Sequence, residues 1–195
     1  MDRPARIGSA GMNNPLRILV TLNGHLTQPA ELTVFGRAAL ALGYTHTLPE
    51  FVTTHDVDGI LPLDWLAAED ENLDFWLAQQ KTNEELEPEG LYITHLFREL
   101  EIILTPDWVK RRVRAPVELH KLTVFRPSTL DLILTKMARG DENDLADIRF
   151  LLGKEKISTA ELHSAFERAR IPDVAEIREL FQLARPKVLQ MAASV

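Results

Sequence analysis

Cysteine is absent from this chain of 195 residues, which excludes a disulfide framework and metal sites built on thiolates. Long hydrophobic runs are absent too, since no apolar stretch approaches the roughly 18 residues of a membrane-spanning helix. The first residues, Met1-Asp2-Arg3-Pro4, are not followed by the apolar segment of a secretory signal peptide. Together these absences predict a cytoplasmic protein with no membrane partner.

Basic residues are scarcer than acidic ones: 22 lysines and arginines face 29 aspartates and glutamates, for a net charge of −7. A protein that grips nucleic acid generally along its phosphate backbone needs clustered Lys and Arg, so the composition argues against this class. The dense basic run Lys110-Arg111-Arg112-Val113-Arg114 keeps two interpretations open. It is as compatible with a solvated face as with a local phosphate or nucleic-acid contact.

The apolar residues, 45% of the chain, are patterned for an α+β fold with a substantial core. Residues 1–12 are expected to form a flexible lead. The segments predicted as strands are 31–35, part of 51–63, 91–97, 100–104 and 119–125, with a hairpin turn at Arg98-Glu99 between the third and the fourth. From Ser128 onward only helices are predicted. We therefore expect a mixed β-sheet with flanking helices over residues 13–127, followed by a helical C-terminal region over 128–195.

Several helix starts carry recognisable caps. Asn13 or Asn14 precedes Pro15, an order that favours a helix N-terminus. Ser128 and Ser158 each stand before a helix-forming run, and Ser158-Thr159-Ala160-Glu161 has the spacing of a capping box. The acidic stretch from Asp64 to Leu86 is also predicted to be helical, with an apolar side made of Trp65, Leu66, Leu73, Trp76 and Leu77.

Two aspartates in Thr53-Thr54-His55-Asp56-Val57-Asp58-Gly59-Ile60-Leu61-Pro62 are the first candidates for chemistry. Successive side chains of a strand alternate between faces, so Asp56 and Asp58 should point the same way while Val57 packs behind them. Two anions held that close repel each other at a cost of roughly 1 kcal/mol, and a divalent cation turns that cost into binding energy. Mg²⁺ is commonly held by one or two carboxylates together with substrate phosphates. Two solvated aspartates before a turn at Gly59 are the alternative.

A glycine marks the junction between a strand and a helix. Gly36 follows the predicted strand Glu31–Phe35 and precedes the helix-forming run Ala38–Leu42. Free backbone amides at such a helix N-terminus are able to meet a phosphate. A simple turn explains the same glycine, so its position indicates a candidate only.

Four segments in this order resemble the DNA polymerase β-like nucleotidyltransferases: 36–40, 54–58, 130–138 and 144–148. The similarity covers roughly residues 13–155. It is greatest to uncharacterised nucleotidyltransferase-like families close to the AbiEii toxins of bacterial toxin–antitoxin and phage-resistance systems.

That resemblance implies an enzyme that moves a nucleotide monophosphate from an NTP onto a hydroxyl of RNA, protein or a small molecule. Asp56 and Asp58 match the carboxylate pair that binds Mg²⁺ or Mn²⁺. The positions that match phosphate- and nucleotide-binding residues are Gly36, Arg37, Thr54 and Lys136. A co-encoded partner protein is also implied.

Three departures from the family pattern stand out. Arg37 fills a position that is normally Gly or Ser, and Asn143 stands where a lysine usually precedes the aspartate matching Asp144. The family also expects a third carboxylate, often the base that takes a proton from the attacking hydroxyl. Glu101 has the right local pattern for it, with Glu99 as the second choice.

A second class of function therefore stays open beside the enzyme. The chain would then be a non-catalytic member of the fold, either a binding module or a toxin–antitoxin partner, that has kept its carboxylates without using them. His95 is a further polar candidate for the cleft in either case.

Overall fold

The computed structural model describes residues 12–68 and 72–194, so the predicted lead over residues 1–12 lies almost entirely outside the described part. Five strands occur in that part: β1 (Ala30–Phe35), β2 (Asp56–Leu61), β3 (Tyr92–Arg98), β4 (Val113–Arg114) and β5 (Leu122–Arg126). They form one sheet in the order β3-β2-β1-β5-β4. The pairs β2–β3 and β1–β5 are parallel, while β1–β2 and β4–β5 are antiparallel. The fold is the expected α+β arrangement with a mixed sheet.

Helices flank the sheet and make up the C-terminal part of the chain. Within the described residues they are α1 (Asn14–His25), α2 (Gly36–Gly43), α3 (Pro49–Val52), α4 (Leu63–Ala67), α5 (Leu73–Leu86), α6 (Thr129–Lys136), α7 (Glu142–Lys154), α8 (Thr159–Arg168) and α9 (Ala175–Ala192). No described helix combines the length and apolarity needed to cross a membrane.

The predicted helix starts are confirmed at the level of individual hydrogen bonds. The side chain of Asn13 accepts the backbone N–H of Leu16 at the start of α1, and Pro15 lies in the first turn, where its missing N–H costs nothing. Ser128 caps α6, and Ser158 with Glu161 forms the capping box of α8. These local bonds fix where each helix begins.

One hydrophobic core joins the sheet to the C-terminal helices. Leu32 and Val34 of β1 belong to the same buried cluster as Ile133 of α6, Ile148 of α7 and Phe181 of α9. The helices after residue 128 therefore share one hydrophobic core with the sheet, and α6 packs against α2. A division into domains over 13–127 and 128–195 stays a prediction.

The predicted hairpin is wrong. Residues 99–101 form a 3₁₀ turn instead of leading into a second strand, and beyond it Leu104 makes a single antiparallel bridge to Arg170. The physical reason is that Glu99 is drawn inward, where its carboxylate accepts hydrogen bonds from Arg170 (3.0 Å) and from the indole N–H of Trp108 (3.2 Å).

The predicted apolar side of the acidic helix is partly wrong. Leu73 and Leu77 are 59% and 48% exposed, whereas Phe75 and Ala78 are buried. The chain divides this stretch into α4 and α5, which resets the helical phase, and Trp65 of α4 packs edge to face on Trp76.

A bulge interrupts the pairing of β2 with β3 between Val57 and Gly59. A side chain at Gly59 would require two leucines to shift, because an added Cβ would lie 2.8 Å from Leu96 Cδ2 and 2.9 Å from Leu32 Cδ1. Bulges re-aim the side chains next to them. This one sits beside Asp58, at the centre of the candidate site.

Candidate active site

A cavity of about 650 Å³ opens over the sheet and contains the site residues that the sequence predicted. Its lining includes Gly36, Arg37, Thr54, Asp56, Asp58, His95, Glu101 and Lys136. The fold therefore brings these segments together, although they are spread over 101 positions of the chain from residue 36 to residue 136.

The two aspartates share the floor of this cavity. Both line it while the intervening Val57 is buried, which is the alternation expected of a strand. Each carboxylate is held by a threonine: Thr54 donates its hydroxyl to Asp56 Oδ1 at 2.8 Å, and Thr94 donates to Asp58 Oδ1 at 2.9 Å. These bonds orient the carboxylates, and neither of them uses the Oδ2 atom.

The strand order sets what stands on either side of Asp58. Phe35 of β1 pairs with Asp58 across the antiparallel ladder, so Gly36 follows immediately on that side. Its φ of +63° suits glycine, and a Cβ built there would lie 3.6 Å from Asp58 Oδ2. On the other side, His95 of β3 places Nδ1 at 3.4 Å from Asp58 Oδ1. The sequence thus correctly predicted Gly36 to be a strand-to-helix turn.

The ionisation of Asp58 is opposed by its surroundings. Burial is the largest cause that raises the pKa of this carboxyl above its ordinary value of 3.8, and the neighbouring charge of Asp56 raises it further. The hydrogen bond from Thr94 and the proximity of His95 act in the opposite direction but do not outweigh burial. Folding therefore shifts the equilibrium of Asp58 toward its protonated form, relative to the unfolded chain.

This raised pKa predicts a stability effect that depends on pH. A carboxyl whose pKa is raised by folding contributes stability below its unfolded pKa and loses that contribution as pH rises through the folded pKa. We expect Asp58→Asn, which still accepts from Thr94, to raise the unfolding free energy at pH 7.5 by up to about 1 kcal/mol. The difference should vanish near pH 3.5. Chemical denaturation in the presence of a chelator measures the difference in unfolding free energy at each pH. An Asp58→Asn protein that is less stable than the native protein at pH 7.5 would contradict this explanation.

Charged groups fill the side of the cavity beyond α2. Lys136 is buried, with Nζ 2.6 Å from Asp147 Oδ2 and 3.4 Å from Asp144 Oδ1. Arg139 binds both oxygens of Asp144 at 3.0 and 3.1 Å, and Arg37 lies 3.5 Å from Asp147. The sequence pattern placed Lys136 off the apolar stripe of α6, and this ion cluster is what allows it to be buried.

The two candidates for a third carboxylate have different surroundings. Glu101 lines the cavity, but its carboxylate accepts the backbone N–H of Arg98 at 2.8 Å and pairs with the Arg98 guanidinium at 3.1 Å. Glu99 lies among Arg170, Trp108 and the N–H of Leu63 and is buried. Glu99 therefore serves the fold, and Glu101 is the carboxylate with access to the cavity.

The donors at the floor of the cavity fit a magnesium ion that a nucleotide helps to bind. Carboxylate oxygens are the hard ligands that Mg²⁺ prefers, and phosphate oxygens commonly complete its shell. Within residues 12–68 and 72–194, no group of three or more His, Asp or Glu side chains is arranged to hold a metal ion on its own. Asp56 and Asp58 would therefore be the protein's share of such a site.

The basic run at 110–114 has a structural role that neither interpretation of the sequence anticipated. Arg111 pairs with the fully buried Asp131 at 3.0 Å. Arg112 pairs with Glu31 at 3.2 Å and lies 4.4 Å above the ring of Phe125. None of the five residues of the run lines the cavity.

Sequence reasoning missed two groups that shape the site. Thr94 holds Asp58, and its place next to His95 in a predicted strand was the available signal. Arg139 holds Asp144, but in the sequence it appeared only as part of a helix-breaking Arg139-Gly140 pair.

A family model described as "Nucleotidyltransferase of unknown function (DUF6036)" matches residues 17–183. The matched range contains every residue that lines the cavity. Searches of curated proteins and of solved structures each gave no significant match.

Proposed function

The chain belongs to this family of nucleotidyltransferases, and on that premise we propose that it moves a nucleotide monophosphate from an NTP onto a hydroxyl group with the help of Mg²⁺ or Mn²⁺. The observation that carries the proposal is the meeting of Asp56, Asp58 and the Gly36 turn in one cavity. Carboxylates bring the metal-binding oxygens, and the turn allows phosphates to approach the backbone.

Each residue has a separate task in this proposal. Asp56 and Asp58 hold the divalent cation, whose charge neutralises the α-phosphate oxygens during in-line displacement. Arg37 keeps guanidinium N–H groups available for phosphate, because its one ion pair among the described residues is the 3.5 Å contact with Asp147. Lys136, which pairs with the same Asp147, adds a second positive charge, and Thr54 keeps Asp56 oriented.

Glu101 is proposed as the base that takes the proton of the attacking hydroxyl, because it lines the cavity directly after β3. Its pairing with Arg98 is an exposed one, 44% and 66% exposed for the two side chains. Such surface pairs contribute little stability, so substrate binding is able to release the carboxylate.

We expect Glu101→Gln to lower kcat by about 100-fold, the usual contribution of a positioned base, and to leave NTP affinity unchanged. Arg98→Ala is the matched control, since it removes the partner of Glu101 and keeps the carboxylate. Steady-state kinetics of the two variants measure the contrast. Equal kcat values for Glu101→Gln and the native protein would remove the base from the proposal.

The activity is tested with each of the four α-labelled NTPs, Mg²⁺ or Mn²⁺, total RNA and cell protein as acceptors. Transfer of label to a macromolecule that requires the protein and the metal supports the proposal and reveals the acceptor class. If no transfer is seen, calorimetric titration with Mg²⁺ and NTP measures nucleotide binding, which does not depend on having the right acceptor. The absence of both transfer and NTP binding with all four nucleotides would overturn the proposal.

The second candidate is a non-catalytic binding module of the same fold. One observation favours it: in the described ranges no third carboxylate joins Asp56 and Asp58 in a metal-binding group. NTP binding without transfer to any acceptor, together with a small protein that co-purifies, would support this candidate. The setting we propose for either function is a cytoplasmic toxin–antitoxin or phage-defence pair related to the AbiEii systems, within the DNA polymerase β-like superfamily.

A further inference from the structure

The side of the cavity formed by β3 is aromatic, in contrast to the charged side beyond α2. His95 lies on the ring of Phe97 with centroids 5.3 Å apart and planes at 22°. Phe97 is in turn held edge to face by Phe35, at 5.5 Å and 78°. All three residues line the cavity. The two stacked rings of β3, His95 and Phe97, are called the aromatic wall below, and Phe35 supports them from β1, across β2.

One face of the His95 ring is open. Phe97 covers the opposite face, yet 65% of the His95 side chain is exposed. A flat, supported and open ring inside a cavity is a surface on which another planar group stacks. Single-stranded nucleic acids are commonly recognised in this way, by stacking unpaired bases on Phe, Tyr, Trp or His.

The order of the strands decides which substrate meets the aromatic wall. Across the sheet, His95 on β3 comes first, the aspartates on β2 second, and Gly36 after β1 third. Lys136 lies on the side of Gly36 as well, because it pairs with Asp147, the carboxylate that Arg37 also contacts. With the α-phosphate at the aspartates, the pyrophosphate leaves toward Arg37 and Lys136. In-line displacement requires the attacking hydroxyl to enter from the opposite side, which is the aromatic wall.

We propose that the aromatic wall is the acceptor subsite and that it stacks the terminal base of a single-stranded RNA, an inference that rests on the proposed function. The terminal ribose hydroxyl forms a new bond to the α-phosphorus. The bond from that phosphorus to the bridging oxygen breaks, pyrophosphate leaves, and the hydroxyl proton passes to Glu101.

The negative net charge of the protein is compatible with an RNA acceptor that binds through its terminal nucleotide. The net charge of −7 argues against a grip along a long phosphate backbone, and Arg111 and Arg112 of the basic run are engaged with Asp131 and Glu31. Stacking is independent of phosphate charge and reads any base through its π face. A terminal base is therefore the part of an RNA that this cavity suits.

The test uses an RNA decamer that ends in a 2-aminopurine ribonucleotide with a free 3′-hydroxyl. Stacking quenches 2-aminopurine, so we expect its fluorescence to fall as native protein is added. His95→Ala should weaken this quenching and raise the KM for the decamer about tenfold, the effect of losing one stacked base. His95→Phe should restore both, because it keeps a ring without the imidazole nitrogens. His163→Ala, the same change on the exposed face of α8, should change neither.

The outcomes separate this inference from the function on which it rests. Calorimetry with Mg²⁺ and NTP tests the proposed function separately, because it needs no RNA. The fluorescence titration needs no nucleotide, so it decides the subsite even where NTP binding fails. Quenching that persists unchanged in His95→Ala, or label that enters only protein in the transfer assay, would overturn the RNA subsite.

Discussion

Replacing Asp58 with Asn is expected to lower nucleotidyl transfer by about 1000-fold or more, which corresponds to about 4 kcal/mol of transition-state stabilisation. The change removes one of two carboxylates that face the nucleotide, while the Asn side chain still accepts the hydroxyl of Thr94. Because the charge is lost but the hydrogen bond is kept, folding should be preserved. Asp56→Asn is expected to behave in the same way.

The matched control is Asp173→Asn, the same substitution at a residue that is 92% exposed and does not line the cavity. It should leave transfer at the native level. Mg²⁺-dependent NTP binding, followed by calorimetry, should weaken in Asp58→Asn and not in the control. Transfer by Asp58→Asn at the native rate would exclude the carboxylate pair from the chemistry.

Replacing Lys136 with Met is expected to lower the unfolding free energy by about 3–5 kcal/mol, the usual cost of removing one partner from a buried ion cluster. Lys136 is 7% exposed, and Asp144 and Asp147 are each 2% exposed. Without the ammonium group, Arg37 and Arg139 alone would balance both buried carboxylates. Urea denaturation of the two proteins measures the loss.

Two further variants test this explanation. Lys154→Met removes a lysine whose Nζ donates to the backbone carbonyls of Thr45 and His46 and lies 4.9 Å from the centre of the Phe150 ring, so it should cost about 1 kcal/mol. Adding Asp147→Asn to Lys136→Met removes one of the uncompensated charges, and part of the lost stability should return. A Lys136→Met protein as stable as the native one would show that the cluster does not stabilise the fold.

The Lys136 result also bears on catalysis. The ammonium group is already shared between two carboxylates, so a phosphate would add a third partner to it. Nζ carries three N–H donors; one donates to Asp147 Oδ2 at 2.6 Å, and Asp144 Oδ1 lies 3.4 Å away. Two buried carboxylates already balance its charge, so in the proposed function Lys136 is a supporting contact and Arg37 the principal one.

Local hydrogen bonds explain why much of the fold is predictable from the sequence. The caps at Asn13, Ser128 and Ser158 bond to groups only three residues away. The spacing of Asp56 and Asp58 and the place of Gly36 between strand and helix are equally local. Each of these signals is complete within a few positions of the chain, so no tertiary structure is needed to interpret it.

The failures have the opposite character. The run 100–104 looks like a strand because it is apolar, but Ile103 and Leu104 are apolar for burial in the interior. The partner that draws Glu99 inward, Arg170, lies 71 positions later. The burial of Lys136 likewise depends on two carboxylates from the next helix. Contacts between distant segments determine the turn at Glu99 and the burial of Lys136, so no local sequence pattern predicts them.

The balanced ion cluster has a consequence for how quickly nucleotide reaches the site. Three cations in the cavity lining, Arg37, Lys136 and Arg139, are matched by three carboxylates, Asp141, Asp144 and Asp147. At longer range these six charges cancel, and the remaining carboxylates of the lining are Asp56, Asp58 and Glu101. A bare nucleotide polyanion therefore meets repulsion as it approaches, and added salt screens that repulsion. Diffusional capture should favour a nucleotide that arrives already complexed with its metal ion, since much of its charge is then neutralised before it enters.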